Sequence, residues 1–126
     1  MRTSFRSIAP PPAATAAPDL LAAAAGIGDR LLREAFWYRG QCNWIGSDAE
    51  AGSGRPLHRA LGPGLGHGTA GVALFLAHLH AATGDPAVRR TALGAIGQAL
   101  AHAGDVPAGA APGLYAGRTG IAYAAA

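Results

Sequence analysis

The chain has 126 residues, enough for one small domain, and its composition is half apolar but only 6% aromatic, so small side chains must form most of its core. All ten basic residues are arginines, spread from Arg2 to Arg118 rather than clustered, which argues against a nucleic-acid-binding face. No apolar run approaches the ~20 residues that cross a bilayer, so we expect no membrane partner. The single cysteine, Cys42, excludes an internal disulfide and fits a reducing compartment, so we expect a cytoplasmic location.

The first predicted element is a helix that follows a structureless leader. Residues 1–18 are rich in Pro, Ala, Ser and Thr without periodicity, which predicts a disordered leader. Over residues 19–38, apolar side chains recur at helical spacing, which predicts an amphipathic N-terminal helix ending near Phe36-Trp37-Tyr38. Its predicted buried face consists of Leu20, Ala24, Ile27, Leu31 and Ala35.

Residues 39–66 are dense in Gly, Ser and Pro and show no convincing strand alternation. Their strongest apolar pair is Trp44-Ile45. The segment is therefore predicted to be a long irregular connection, and the chain as a whole to be all-α.

Two further helices are predicted after this connection. The first starts near Thr69 and ends at Thr83-Gly84, where glycine suits a left-handed C-terminal position. The next begins with Asp85 as N-cap and Pro86 in the first turn, and Gly104 closes it. The short turn between them predicts an antiparallel hairpin. The second helix is expected to bury Val88, Ala92, Ile96, Ala99 and Ala103, helped by Leu93 and Leu100.

The most specific pattern in the sequence is an internal repeat. The eleven residues from Gly64 to Leu74 recur from Gly113 to Tyr123 with five identities, and Gly117 follows Gly68 by 49 residues. That offset matches one helical hairpin plus its connection. Glycines at a helix start are expected to let the backbone of that turn approach a neighbouring helix closely, because no Cβ atom is present.

These paired segments, Gly68-Thr69-Ala70-Gly71 and Gly117-Arg118-Thr119-Gly120, resemble the G-x-x-G repeats of the lanthionine synthetase C-like (LanC-like) family. The resemblance assigns residues 67–126 to LanC-like helical repeats and a structural role to Gly68, Gly71, Gly117 and Gly120. It implies an incomplete α/α toroid that comprises the first one to two hairpins.

The resemblance also implies a chemistry. The family adds Cys thiols to dehydrated Ser or Thr in ribosomal peptides, using zinc held by two Cys and one His, so zinc is expected for the full-length family and a precursor peptide is the expected partner. The Trp-Cys and Cys-His-Gly segments that supply those ligands do not occur here. We therefore expect no metal in this chain, and a packing role for Cys42.

His67 is the one catalytic candidate. Gly66-His67-Gly68 resembles part of the family's His-Gly-x-x-Gly segment, whose His is an acid/base candidate, although that segment belongs to a later repeat. The other histidines, His58, His78, His80 and His102, are predicted to be solvated.

Three functional readings follow. The chain reads as the N-terminal, truncated part of a LanC-like enzyme, inactive and marginally stable alone, or as a non-catalytic LanC-like scaffold that binds a peptide or protein. The third reading is an α/α-barrel carbohydrate enzyme, which would need two facing carboxylates, whereas the acids here mostly cap helices or lie in loops.

Overall fold

The computed structural model describes the backbone of residues 11–126 and the side chains of residues 19–126 other than Asp48. Helix α1 spans Pro11–Glu34, followed by strands β1 (Phe36–Tyr38), β2 (Gln41–Asn43), β3 (Ile45–Ala49) and β4 (Pro56–Ala60). Helices α2 (Thr69–Thr83) and α3 (Pro86–Ala101), a 3₁₀ turn (Ala103–Asp105) and helix α4 (Arg118–Ala125) complete the fold. The described part is helix-rich but not all-α, because four short strands lie between α1 and α2.

Helix α1 differs from its prediction at both ends. Residues 11–18 belong to the helix instead of a disordered leader. Their alanines have high helix propensity, and Pro11 and Pro12 lie in the first turn, where proline is tolerated; neither effect explains Pro18 inside the helix. Residues 1–10 of that leader lie outside the described residues. The helix ends at Glu34 rather than near Tyr38. Ala24, Leu31 and Ala35 pack against the core as predicted, but Leu20 and Ile27 are exposed.

The connection predicted to be irregular is two antiparallel hairpins. Strands β1 and β2 pair through a two-residue turn in which Arg39 has φ 52° and Gly40 has φ 79°. Two successive positive φ values are those of a type I′ turn, whose twist matches the flanking strands. Strands β3 and β4 pair with Ser47 opposite His58.

Asn43 and Trp44, both buried, fix these hairpins to the rest of the chain. The Asn43 side chain accepts from the amides of Trp44 (2.7 Å) and Leu61 (3.2 Å) and donates to the Leu61 carbonyl (2.9 Å). The Trp44 indole donates to the Leu31 carbonyl at the end of α1 (2.8 Å). A polar residue can be buried here because its amide is hydrogen-bonded on both sides.

The α2–α3 hairpin forms as predicted. Gly84 ends α2 with φ 71°, and the Asp85 side chain accepts from the Ala87 amide at the start of α3. Leu76 and Leu79 of α2 pack with Val88, Ala92 and Ala95 of α3. Helix α3 ends at Ala101, so the predicted end at Gly104 is three residues too late.

Two leucines expected to help the core of α3 point outward: Leu93 and Leu100 are each 53% exposed. The reason lies on the opposite side of α3, where strands β1 and β2 approach. A Cβ at Gly94 would lie only 2.6–3.0 Å from the Trp37 ring and the Cys42 sulfur. The helix therefore turns its small residues, Gly94 and Ala95, inward.

The core should depend strongly on Leu76, one of the largest fully buried side chains among the described residues. Leu76 is fully buried, so Leu76→Ala should lower the free energy of unfolding by about 2–5 kcal/mol through lost burial and a cavity. Leu93→Ala is the matched control and should change it by less than about 0.5 kcal/mol. Urea unfolding followed by far-UV circular dichroism measures both, and equal losses would contradict the assigned core.

Candidate functional site

The two glycine motifs begin helices α2 and α4 in the same way. Gly68 and Gly117 are the N-cap residues, both extended and both without a side-chain cap. In place of a side chain, a backbone carbonyl from the preceding turn accepts from the first helical amide: Thr69 donates to Gly62 (2.9 Å), and Arg118 donates to Ala111 (2.7 Å). Each acceptor lies seven residues before its donor, so the same cap recurs in both repeats.

The second glycine of each motif lies against a later carbonyl of the same preceding turn. A Cβ at Gly71 would clash with the carbonyl oxygen of Leu65, and a Cβ at Gly120 would clash with that of Leu114. Gly68 and Gly117 likewise lie against carbonyls of Gly62 and Ala111. The closest approach is thus made by the turn that precedes each helix and not, as expected, by a neighbouring helix.

The first of these turns borders a cleft. Its volume is about 660 Å³, and its walls are the end of the β3–β4 hairpin, the Gly62–Gly64 turn, the segment after α3 and the turn before α4. The polar side chains at its walls include Arg59, His67, Asp105 and Tyr115. Such a cleft, apolar with a few polar groups of both charge signs, has the character of a ligand-binding surface.

His67 is exposed and lies between the cleft and a second, shallower hollow. It lines the cleft, and it also lines the shallower hollow, which is formed with Ile27, Val72 and Phe75. Its position next to Gly68 follows from the capped turn. The acid/base role of His67 remains a prediction, since its position gives the imidazole access to a ligand in the cleft but does not identify a proton that it would transfer.

Three of the cleft residues were not singled out by sequence reasoning. Tyr115 had a signal, because it occupies the repeat position of Gly66, but Arg59 and Asp105 had none. Asp105 accepts from or ion-pairs with His102 (Nδ1 to Oδ2, 2.8 Å) at the 3₁₀ turn.

Of the remaining histidines, His58, His78 and His102 are exposed, in keeping with the expectation that they are solvated, whereas His80 is half-buried. Three of the four also have hydrogen-bond partners. His58 lies 3.2 Å from the Ser47 hydroxyl across the β3–β4 pair. His80 lies 3.1 Å from the Asp85 carbonyl, next to the turn between α2 and α3. These histidines stabilise the local structure around them and do not come together in a common site.

Cys42 is a buried packing residue on β2. Only 1% of it is exposed, and its thiol donates to the Thr91 carbonyl on α3 (3.4 Å). Burial raises the pKa of this thiol from 9.0 to about 11, against a smaller opposing effect of the Arg90 charge. A thiol in this environment stays protonated at neutral pH.

The residues present do not fit the zinc site that the resemblance implies. One cysteine cannot supply two thiolates, and Cys42 faces a backbone carbonyl of α3. Across the described residues, no three His, Cys, Asp or Glu side chains are grouped to hold a metal ion. No step of a reaction can therefore be assigned to zinc here.

These observations define a helical-repeat protein whose helices start at glycine pairs capped by the preceding turn. Residues 59–126 match the family model described as lanthionine synthetase C-like protein. The match covers more than half of the chain, which therefore belongs to the LanC-like family. No curated protein matches the chain with significant similarity. Among the helices of residues 11–126, none has the length and hydropathy to cross a membrane.

The motif glycines can be tested against a glycine that has room. Gly71→Ala should destabilise the fold by about 1–3 kcal/mol, because the new Cβ meets the Leu65 carbonyl and the turn must move. At Gly97 on α3 an added Cβ would lie 3.8 Å from its nearest neighbour, the Gln41 side chain, so Gly97→Ala should stabilise by up to about 1 kcal/mol. Urea midpoints of the two variants that shift in the same direction would contradict this role.

The Cys42 thiol should make stability fall at high pH. The folded state holds its proton more tightly than the unfolded chain, so the stabilisation is complete below pH 9.0 and is lost as pH rises toward about 11. The loss should be on the order of 2 kcal/mol. Unfolding free energies of the wild type and Cys42→Ala are compared across this range, and parallel pH profiles would exclude the effect.

Proposed function

We propose that this chain supplies a peptide-binding wall of a LanC-like protein, with the two repeats forming an arc of an α/α toroid. The observation that carries the proposal is the cleft beside the first glycine motif, in a chain that belongs to this family. Its walls offer a strand pair, a glycine-rich turn and polar groups, a combination that suits an extended peptide.

The cleft is supported as a peptide site by the chemistry of its walls. Gly62 and Gly64 have no side chains, so a peptide backbone can approach this wall of the cleft closely. Arg59 and Asp105 offer charges of opposite sign to the polar groups of a peptide. His67 adds a donor and an acceptor, and in a thiol addition it would be placed to move a proton to or from the bound peptide.

The family reaction forms a bond between a Cys sulfur and the β-carbon of a dehydrated residue, while the α-carbon gains a proton. It needs a thiolate at neutral pH, which zinc supplies by coordination when bound. This chain does not provide the two cysteines, so we propose that it binds peptide without catalysing ring closure by itself. The scaffold alternative shares this binding and differs in having no cyclase activity in any context.

A fluorescein-labelled peptide containing Ser, Thr and Cys tests the site. Fluorescence anisotropy should show saturable binding that His67→Ala weakens about three- to tenfold, the worth of one or two hydrogen bonds. His78→Ala is the matched control, because His78 is exposed on α2 and outside the cleft. Equal effects of the two substitutions, or no binding, would overturn the proposal.

The same samples test catalysis. With a peptide that carries Cys and dehydroalanine, mass spectrometry after reaction with a thiol-alkylating reagent should show ring closure no faster than in buffer, with or without added zinc. Accelerated closure would contradict the proposal that the chain is inactive alone.

A further inference from the structure

The first residue of α2 makes two hydrogen bonds, one through its backbone and one through its side chain. Thr69 is fully buried, and its amide donates to the Gly62 carbonyl (2.9 Å). Its hydroxyl donates to the side-chain oxygen of Gln98 on α3 (2.6 Å). A buried hydroxyl needs such a partner, because burial removes it from water. Thr69 therefore joins the turn before α2 to helix α3.

Capping of the helix does not require this hydroxyl. The second motif has Arg118 at the position of Thr69, and the Arg118 amide donates to the Ala111 carbonyl (2.7 Å) in the same way. The Arg118 side chain has no hydroxyl and donates to the Ala103 carbonyl (3.1 Å), which lies just after α3. In both repeats, the residue after the N-cap glycine thus reaches α3 or the segment that follows it. The Thr69 hydroxyl has a role that is separate from capping.

Gln98 lies in the last turn of α3 and is connected by backbone hydrogen bonds to one wall of the cleft. The Gln98 carbonyl accepts from the His102 amide (3.1 Å), and the His102 carbonyl accepts from the Asp105 amide (2.9 Å). Asp105 and Val106 line the cleft. The position of Gln98 therefore bears directly on the position of this wall.

The Gly62–Gly64 turn is another wall of the same cleft, and it is connected to Thr69. Leu61, just before the turn, is held by the Asn43 side chain at both its amide (3.2 Å) and its carbonyl (2.9 Å). Gly62 follows, with its carbonyl bonded to the Thr69 amide. Leu61 and Gly62 both line the cleft. The bond between Thr69 and Gln98 is thus the step that connects the turn on one side with the segment after α3 on the other.

Neither Thr69 nor Gln98 belongs to the described lining of the cleft. A peptide in the cleft would therefore touch the walls and not these two side chains. Their effect on binding must pass through the walls, because a wall that is not held in place has to be ordered when a ligand binds, which weakens affinity.

We propose that Thr69 and Gln98 are positioning residues of the cleft, whose hydrogen bond fixes the separation between the Gly62–Gly64 turn and the segment after α3. The consequence for peptide binding rests on the function proposed above. Thr69 acts on the turn through Gly62, and Gln98 acts on the segment that carries Asp105. Loss of the bond should loosen both walls and leave the helices folded.

Hydrogen exchange followed by NMR tests the positioning without any peptide. Thr69→Val keeps the shape of the side chain and removes the hydroxyl, so the Thr69 and Asp105 amides should exchange about three- to tenfold faster. The Arg118 amide, capped in the same way in the second repeat, should exchange as in the wild type. Thr91→Val is the matched control, because the Thr91 hydroxyl is bonded within α3, to the Ala87 carbonyl (2.9 Å). Equal acceleration of all three amides in Thr69→Val, or the selective pattern in Thr91→Val, would overturn the proposal.

Binding of the labelled peptide tests the functional consequence. Thr69→Val and Gln98→Leu should each weaken binding about three- to tenfold. The double variant should bind no more weakly than either single variant, since both remove the same bond. Thr69→Ser keeps the hydroxyl and should bind like the wild type, as should Thr91→Val.

The two measurements separate this proposal from the proposed function. A wild type that binds the peptide no better than Thr69→Val and Gln98→Leu would overturn the positioning role and leave the peptide site intact. A wild type that binds no peptide would overturn the proposed function, whereas the exchange pattern decides by itself whether the bond between Thr69 and Gln98 holds the walls.

Discussion

The fold of the repeats depends on close contacts between carbonyl groups of the preceding turns and the Cα atoms of the motif glycines. At each helix start the preceding turn supplies a carbonyl to the first helical amide and lays the next carbonyls against the two motif glycines. A helix start normally leaves four amides to be satisfied, often by a Ser, Thr or Asp side chain. Here the preceding turn satisfies the first of these amides in each helix, so the turn and the helix start are held together.

This connection between turn and helix start determines where the cleft and the inter-repeat contacts lie. Because the Gly62–Gly64 turn is held against Gly68, its outer side borders the cleft, and His67 lies at the boundary between the cleft and the shallower hollow. The same turn places Leu65 against Gly120. The wall of the cleft and the packing between the repeats therefore depend on the same short segment, and a substitution that moves the turn should affect both.

The sequence predicted the elements whose signals are local. Asp85 and Pro86 at one helix start, Gly84 at the preceding helix end and the repeated glycine pairs each specify a backbone state by themselves, and all are found. Strands β1 and β2 were missed because each is three residues long and their turn is Arg39-Gly40, without the Asn or Asp that usually marks a type I′ hairpin. Their pairing is stabilised from outside, by α3 packing on Trp37 and Cys42, which is a tertiary effect.

The outward position of Leu93 and Leu100 has the same origin. Their spacing is compatible with a buried helix face, and periodicity cannot tell which of two neighbouring faces is used. Close packing of Gly94 against the β1–β2 hairpin determines which face of α3 is buried. At the cleft, Arg59 and Asp105 come from segments more than forty residues apart, and no single-sequence pattern joins them.

The environment of Cys42 shows how this chain relates to the chemistry of its family. A thiol that is to attack or bind zinc must lose its proton near neutral pH, which requires positive charge or metal close to the sulfur and access to solvent. Cys42 has the nearby Arg90 charge, yet desolvation outweighs it, and the thiol proton is directed to the Thr91 carbonyl. The sulfur instead fills space that a side chain on Gly94 would occupy. Its contribution is to the packing of the β1–β2 hairpin on α3.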